Sequence, residues 1–216
     1  MRLRNIPGAD DVVRRHPIAV KEEKENKGKW NQIFQNENPI HIEIGMGKGQ
    51  FILTLAKQNP DINYIGIERY SCVLLRALEK FDTEEFCELK NVRFICMDAM
   101  TLPEVFEQNE VAKIYLNFSD PWPKARHARR RLTSTRFLAQ YDQVLAAEGV
   151  VEFKTDNRGL FEFSLEQLTE HGYSLKNVSL DLHSSDFEGN IVTEYEQKFV
   201  SQGFPIYRLE AYYPKG

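Results

Sequence analysis

Between Pro39 and His171 the chain alternates between short apolar, β-rich runs and longer stretches of helical periodicity. The apolar runs are His41–Ile44, Asn63–Ile67, Val92–Met97, Lys113–Phe118 and Val150–Lys154. The helical patterns that follow them are Gln50–Gln58, Cys72–Phe81, Leu102–Gln108, Thr135–Ala146 and Leu160–His171. Strand–helix–strand repetition of this kind closes into a parallel sheet with helices on both faces, because each parallel neighbour needs a crossover. Continuously apolar stretches such as Ile65-Gly66-Ile67 suit strands buried on both sides. The tail departs from the alternation. Tyr173–Leu182 reads as a sixth strand and Ile206–Tyr213 as a seventh, with a polar loop from His183 to Val192 and a short helix over Thr193–Val200 between them.

Residues 1–36 precede this pattern and are polar and irregular. They carry Arg2, Arg4, Arg14 and Arg15, then mixed charge from Lys21 to Lys29, and predict a flexible arm with one short helix near Trp30–Phe34. Residues 37–216 are expected to form one domain. The net charge of -4 argues against a protein that coats nucleic acid indiscriminately, so any such binding has to be local. The start of the chain does not read as a signal peptide, and no run is long and apolar enough to span a membrane, so a cytoplasmic protein is expected. Cys72, Cys87 and Cys96 are odd in number and form no metal-binding pair, and the histidines are scattered, so no metal is expected.

The most informative local run is Asn117-Phe118-Ser119-Asp120-Pro121-Trp122-Pro123-Lys124, which continues through Ala125 to Leu132. An apolar strand ends at a carboxylate, two prolines flank a tryptophan, and five Lys/Arg follow within eight residues. An acid, an aromatic face and a cationic patch at one sheet edge suit a flat, polyanionic substrate such as a nucleic-acid base on its backbone. Most charge runs are solvated surface, but this proline–tryptophan turn is unusual in a plain linker.

The first strand leads into Glu43-Ile44-Gly45-Met46-Gly47-Lys48-Gly49. A phosphate-binding P-loop is rejected, because Ile42 stands where its first glycine belongs and Gly49 where its hydroxyl belongs. A dinucleotide loop is weakened by Gln50 in the place of the last glycine. A third reading is an S-adenosylmethionine loop preceded by a strand acid. Glu43, Glu68, Asp98 and Asp120 fall at or near the C-terminal ends of the first four strands, the edge where open α/β sheets bind ligands. Four carboxylates would repel a pyrophosphate and attract a sulfonium cation.

With these motifs in view, the chain resembles the bacterial tRNA (guanine-N(7)-)-methyltransferases from about residue 39 to residue 213. The likeness rests on Glu43–Gln50, Ile65–Glu68, Asn117–Leu132, Phe153–Asn157 and Thr193–Phe199, in the family's order. Met46 and Arg129 depart slightly from the family pattern. The resemblance implies a Rossmann-like α/β fold: a seven-stranded, mostly parallel sheet, helices on both faces, last strand antiparallel. It implies S-adenosylmethionine as cofactor, held by Glu43, Gly45, Gly47, Glu68, Asp98 and Asp120, with Asp120 also catalytic. It assigns Lys124, Asp156, Thr193, Glu194, Tyr195 and Glu196 to the substrate guanosine, and Arg126, Arg129, Arg130 and Arg131 to RNA. The implied partner is tRNA, methylated at nitrogen 7 of a variable-loop guanosine by a monomer or homodimer.

Overall fold

The computed structural model describes residues 6–212. The chain forms two compact units, one ending at Glu107 and one beginning at Gln108. In the first unit the order is α1 (Ala9–Arg15), β1 (Ala19–Val20), α2 (Trp30–Phe34), β2 (Ile40–Ile44), α3 (Gln50–Gln58), β3 (Asn63–Glu68), α4 (Ser71–Phe81), β4 (Val92–Cys96) and α5 (Leu102–Val105). Its strands are all parallel, in the order β1-β4-β3-β2. The second unit holds β5 (Val111–Asn117), α6 (Thr135–Val144), β6 (Leu145–Thr155), α7 (Arg158–Glu170), β7 (Ser174–Ser179), α8 (Glu194–Val200) and β8 (Tyr207–Tyr212). There β5 and β6 are parallel, and β8 runs antiparallel to both β6 and β7.

This is the mostly parallel α/β arrangement expected, with the last strand antiparallel. Among the described residues there are eight strands rather than seven, the addition being the two-residue β1. The apolar runs become buried strands: Ile42, Ile65, Val92, Ile114 and Val151 have no exposed surface. α5 stops at Val105, short of the predicted Gln108. Among the described residues no helix is long and apolar enough to cross a membrane.

The segment before Pro39 differs most from its expectation. From Ala9 onward it is not an irregular arm: α1 packs on α4, and β1 pairs with β4. The predicted helix at Trp30–Phe34 is present as α2. Trp30 explains why the segment is fixed. Its ring is fully buried and stacks on Phe106 at 5.5 Å, while its indole N–H donates to the Val105 carbonyl at 3.0 Å. Burying one large aromatic contributes about 1.5–3 kcal/mol, enough to offset ordering of one or two residues. Arg93 adds a guanidinium 5.1 Å from the Phe34 ring. Arg2 and Arg4, expected in the arm, lie outside the described residues.

Gly66 and Gly49 have separate steric reasons. A Cβ on Gly66 would fall 2.1 Å from the Met46 sulfur, so its absence lets the glycine loop fold down onto β3. Gly49 caps α3 at φ +77°, and a Cβ there would meet the Ala77 Cβ at 3.0 Å. Gly49→Ala therefore combines left-handed strain with overpacking against α4. It is expected to destabilise the protein by about 2–4 kcal/mol in urea unfolding; a change below about 0.5 kcal/mol would contradict this packing account.

Candidate active site

In the first unit the glycine loop is tied to the ends of β2 and β3. The N–H groups of Gly45 and Met46 both donate to the Ile67 carbonyl, at 2.8 and 3.1 Å. Glu68 then fixes the loop by its side chain. One carboxylate oxygen accepts from Gly47 N–H at 3.2 Å, and the other accepts from the N–H groups of Arg69 and Tyr70 at 2.8 and 3.1 Å. Gly45 and Gly47 adopt φ +76° and +56°, and a Cβ at either would meet nothing within 4 Å. The loop thus presents bare backbone to open space beside a carboxylate. Glu43 is buried on β2, 3% exposed. Asp98 caps the 3-10 turn Ala99–Thr101 through Met100 N–H at 3.0 Å and lies 3.5 Å from Arg69 Nε. Buried carboxylates and an open backbone cradle fit a ligand that brings hydroxyl donors and positive charge, as S-adenosylmethionine does.

In the second unit β5 ends in a strained turn. Phe118 and Trp122 sit at φ +51° and +42°, two residues either side of Asp120. Left-handed backbone at bulky residues costs about 1–3 kcal/mol each and persists only where surrounding contacts enforce it. Asp120 is exposed on this turn. Phe118 donates its N–H to the Lys154 carbonyl at 2.8 Å, continuing the β5–β6 ladder. Its ring lies 5.0 Å from that of Tyr195, which stacks on Phe199 at 4.5 Å. Tyr195 feels the charges of Asp156 and Asp120. Its hydroxyl pKa is pushed up to about 12, first by burial and then by Asp156 and Asp120. It stays a protonated donor at any physiological pH. Asp120, Asp156 and Tyr195, which the resemblance assigns to the site, therefore lie close to one another. Tyr195 keeps 45% of its surface exposed despite its packed ring faces.

Thr193 and Glu196 form a capping pair at the start of α8, with Glu196 N–H donating to Thr193 Oγ1 at 3.0 Å. Glu194 is exposed in that first turn, whereas Glu196 is fully buried. One Glu196 oxygen accepts from Lys154 Nζ at 2.6 Å, and the other from Asn190 Nδ2 at 2.7 Å. His183 Nε2 lies 2.8 Å from that second oxygen. Both oxygens of Glu196 are thus engaged inside the protein. Burial alone would raise its pKa, but Lys154, Asn190 and His183 outweigh burial and hold it below the usual carboxylate range. Lys154 also donates to Asn190 Oδ1 and the Ile191 carbonyl, at 3.0 and 3.1 Å. Lys154 is not singled out from the sequence; its signal there is a lysine closing the run Val150–Lys154, where a buried charge needs a partner.

The basic run divides by role. Lys124 is exposed and precedes the 3-10 turn Ala125–Arg130, which displays exposed Arg126 and Arg129. Arg130 lays its guanidinium 4.9 Å from the Trp122 ring, and His127 meets the same ring edge-on. Arg131 is half-buried and reaches back to the turn. Its Nε donates to the Pro121 carbonyl at 2.9 Å and its Nη2 to the Trp122 carbonyl at 3.1 Å.

Comparison with known proteins fits this geometry. A family model described as "Putative methyltransferase" matches residues 37–209. A 16S rRNA (adenine(1408)-N(1))-methyltransferase variant from Catenulisporales acidiphilia, solved with cosubstrate SAM, shares the fold. The TM-score is 0.63 at 12% identity, over 91% of this chain and 93% of that one. The chain is thus a methyltransferase of the Rossmann-like α/β class. A tRNA (guanine-N(7)-)-methyltransferase of Lachnoclostridium phytofermentans is 58% identical over 216 residues, 100% of both chains. One from Bacillus subtilis is 55% identical over 97% of this chain and 98% of its own. The chain belongs to the tRNA (guanine-N(7)-)-methyltransferase family.

Proposed function

We propose that this enzyme transfers a methyl group from S-adenosylmethionine to nitrogen 7 of a guanosine in the tRNA variable loop. The observation that carries the reading is the grouping of Asp120, Asp156 and Tyr195 beside a strained turn and an exposed cationic stretch, in a chain of this family. The acceptor nitrogen has an in-plane lone pair and no proton, so the residues need not supply a strong base. S-adenosylmethionine supplies an electrophilic methyl group when bound. Glu43, Glu68, Asp98 and the open backbone at Gly45 and Gly47 are the groups that would hold it, Glu68 with a carboxylate whose orientation is already set by three backbone donors.

On the substrate side, catalysis rests on positioning and on charge. The purine gains positive charge as nitrogen 7 is methylated, and the Asp120 carboxylate becomes more favourable beside it. Asp156, close to Tyr195, offers its lone pairs to the ring N–H and 2-amino group of guanine, positions at which adenine has no N–H. Thr193 shapes the α8 start that carries Tyr195, while Glu194 and Lys124 are exposed contacts for the nucleotide. Incubation with S-adenosylmethionine and unmodified tRNA transcript, followed by nucleoside analysis, is expected to yield 7-methylguanosine. Label in another nucleoside would overturn the base-recognition argument. The enzyme acts as a cytoplasmic monomer or homodimer in this reading, with residues 37–216 as its methyltransferase domain.

Arg126 and Arg129 supply phosphate contacts. Replacing both with Ala is expected to weaken tRNA binding several-fold at low salt and to reduce the slope of log affinity against log salt by about 1–2. Cofactor affinity, followed calorimetrically, stays unchanged. An unaltered salt slope would remove both residues from the RNA interface.

A further inference from the structure

We propose that Arg131 is a positioning residue for methyl transfer: its guanidinium clamps the backbone of the Asp120 turn. This deepens the proposed function and rests on Asp120 acting at the guanine.

Two adjacent carbonyls, of Pro121 and Trp122, point at one guanidinium and accept from its Nε and Nη2 at 2.9 and 3.1 Å. These carbonyls belong to the two residues following Asp120, and Trp122 is one of the turn's two left-handed bulky residues. A strained turn needs outside contacts to persist, and Arg131 provides them from the side of the carbonyls. Its own placement is fixed in turn. Arg131 is half-buried, and its guanidinium lies 4.4 Å from the Phe163 ring of α7. Its N–H donates to the Ala128 carbonyl at 3.0 Å, and its carbonyl accepts from Ser134 N–H at 3.0 Å. Arg130 closes the turn from another side by covering the Trp122 ring. The planar fork suits two neighbouring carbonyls, whereas an ammonium on a flexible stem cannot reproduce both bonds and the stacking. Arg131→Lys therefore keeps the charge and removes the clamp.

The test measures kcat and KM for tRNA at two salt concentrations, for the full-length wild type and Arg131→Lys. Acrylamide quenching of tryptophan fluorescence accompanies it. The chain has two tryptophans, and Trp30 is fully buried, so quenching reports Trp122. Arg131→Lys is expected to lower kcat about 10–100-fold, the scale of a roughly 1 Å misplacement at a reacting site. KM for tRNA and its salt dependence stay within about twofold, and quenching of Trp122 rises. Millimolar guanidinium is expected to restore part of the kcat lost by Arg131→Ala, an effect that general destabilisation would not show. Wild-type kcat in Arg131→Lys, or a loss confined to KM with an altered salt slope, would overturn the clamp. Unchanged quenching would do so even if the wild type proved inactive on tRNA. Absence of wild-type turnover would instead strike the proposed function.

Discussion

Asp120→Ala is expected to lower the single-turnover rate of methyl transfer by at least about 10²–10³-fold while leaving the fold in place. Removing one preorganised electrostatic partner of developing charge costs that much in other enzymes. Asp120 is exposed, so its loss removes no core packing and is expected to change stability by less than about 0.5 kcal/mol. The backbone supports the proposal that this position is functional. Phe118 and Trp122 both hold left-handed conformations on either side of Asp120, which an ordinary surface turn would avoid by using glycine. Asp120→Asn separates shape from charge. If the charge acts on the methylated purine, Asn behaves like Ala; if the side chain only orients the base, Asn retains much of the rate. A folded Asp120→Ala enzyme with the wild-type rate would remove Asp120 from the mechanism.

Lys154→Ala is expected to cost about 3–5 kcal/mol of stability in denaturant unfolding, because it leaves the Glu196 carboxylate buried without its cation. The two side chains are 1% and 0% exposed, so solvent cannot take over. An exposed pair gives the contrast. Lys57 and Glu85 are about half-exposed at 3.1 Å, and Lys57→Ala is expected to change stability by less than about 1 kcal/mol. The pair also gives stability a pH signature. Glu196 has a folded-state pKa below its unfolded value, so its contribution is complete above about pH 4.3 and is lost as the pH falls through the lower folded value. Activity follows, since Lys154 and Glu196 fix the start of α8, and with it Tyr195 against Phe118. A Lys154→Ala protein with near wild-type stability would mean that the pair is not the anchor described here.

The strand ends were legible in the sequence because a buried parallel strand has a simple signature, an apolar run closed by a turn. That signature placed Glu43, Glu68 and Asp120 correctly at or just beyond their strands. Apart from the helix at Trp30–Phe34, the segment before Pro39 was not legible, since its fixation depends on distant partners: Trp30 reaches Phe106 and Val105, α1 packs on α4 and β1 pairs with β4. The tertiary partners of the charged residues were not legible for a related reason. Arg131 and Glu196 sit in runs that look solvated, and only tertiary placement shows that one meets two backbone carbonyls and the other a buried lysine. Lys154 leaves a readable trace, a cation near the end of a buried strand, although only the structure shows Glu196 as its partner.

The most direct measurement of the central claim uses tRNA in which the variable-loop guanosine is replaced by 7-deazaguanosine. That base keeps its N–H donors and stacking surface and lacks the nucleophilic nitrogen. The account predicts wild-type transfer of label to unmodified tRNA, comparable binding of the substituted tRNA, and no label in it. Equal labelling of the substituted tRNA would place the methyl group on another atom and contradict the proposed reaction.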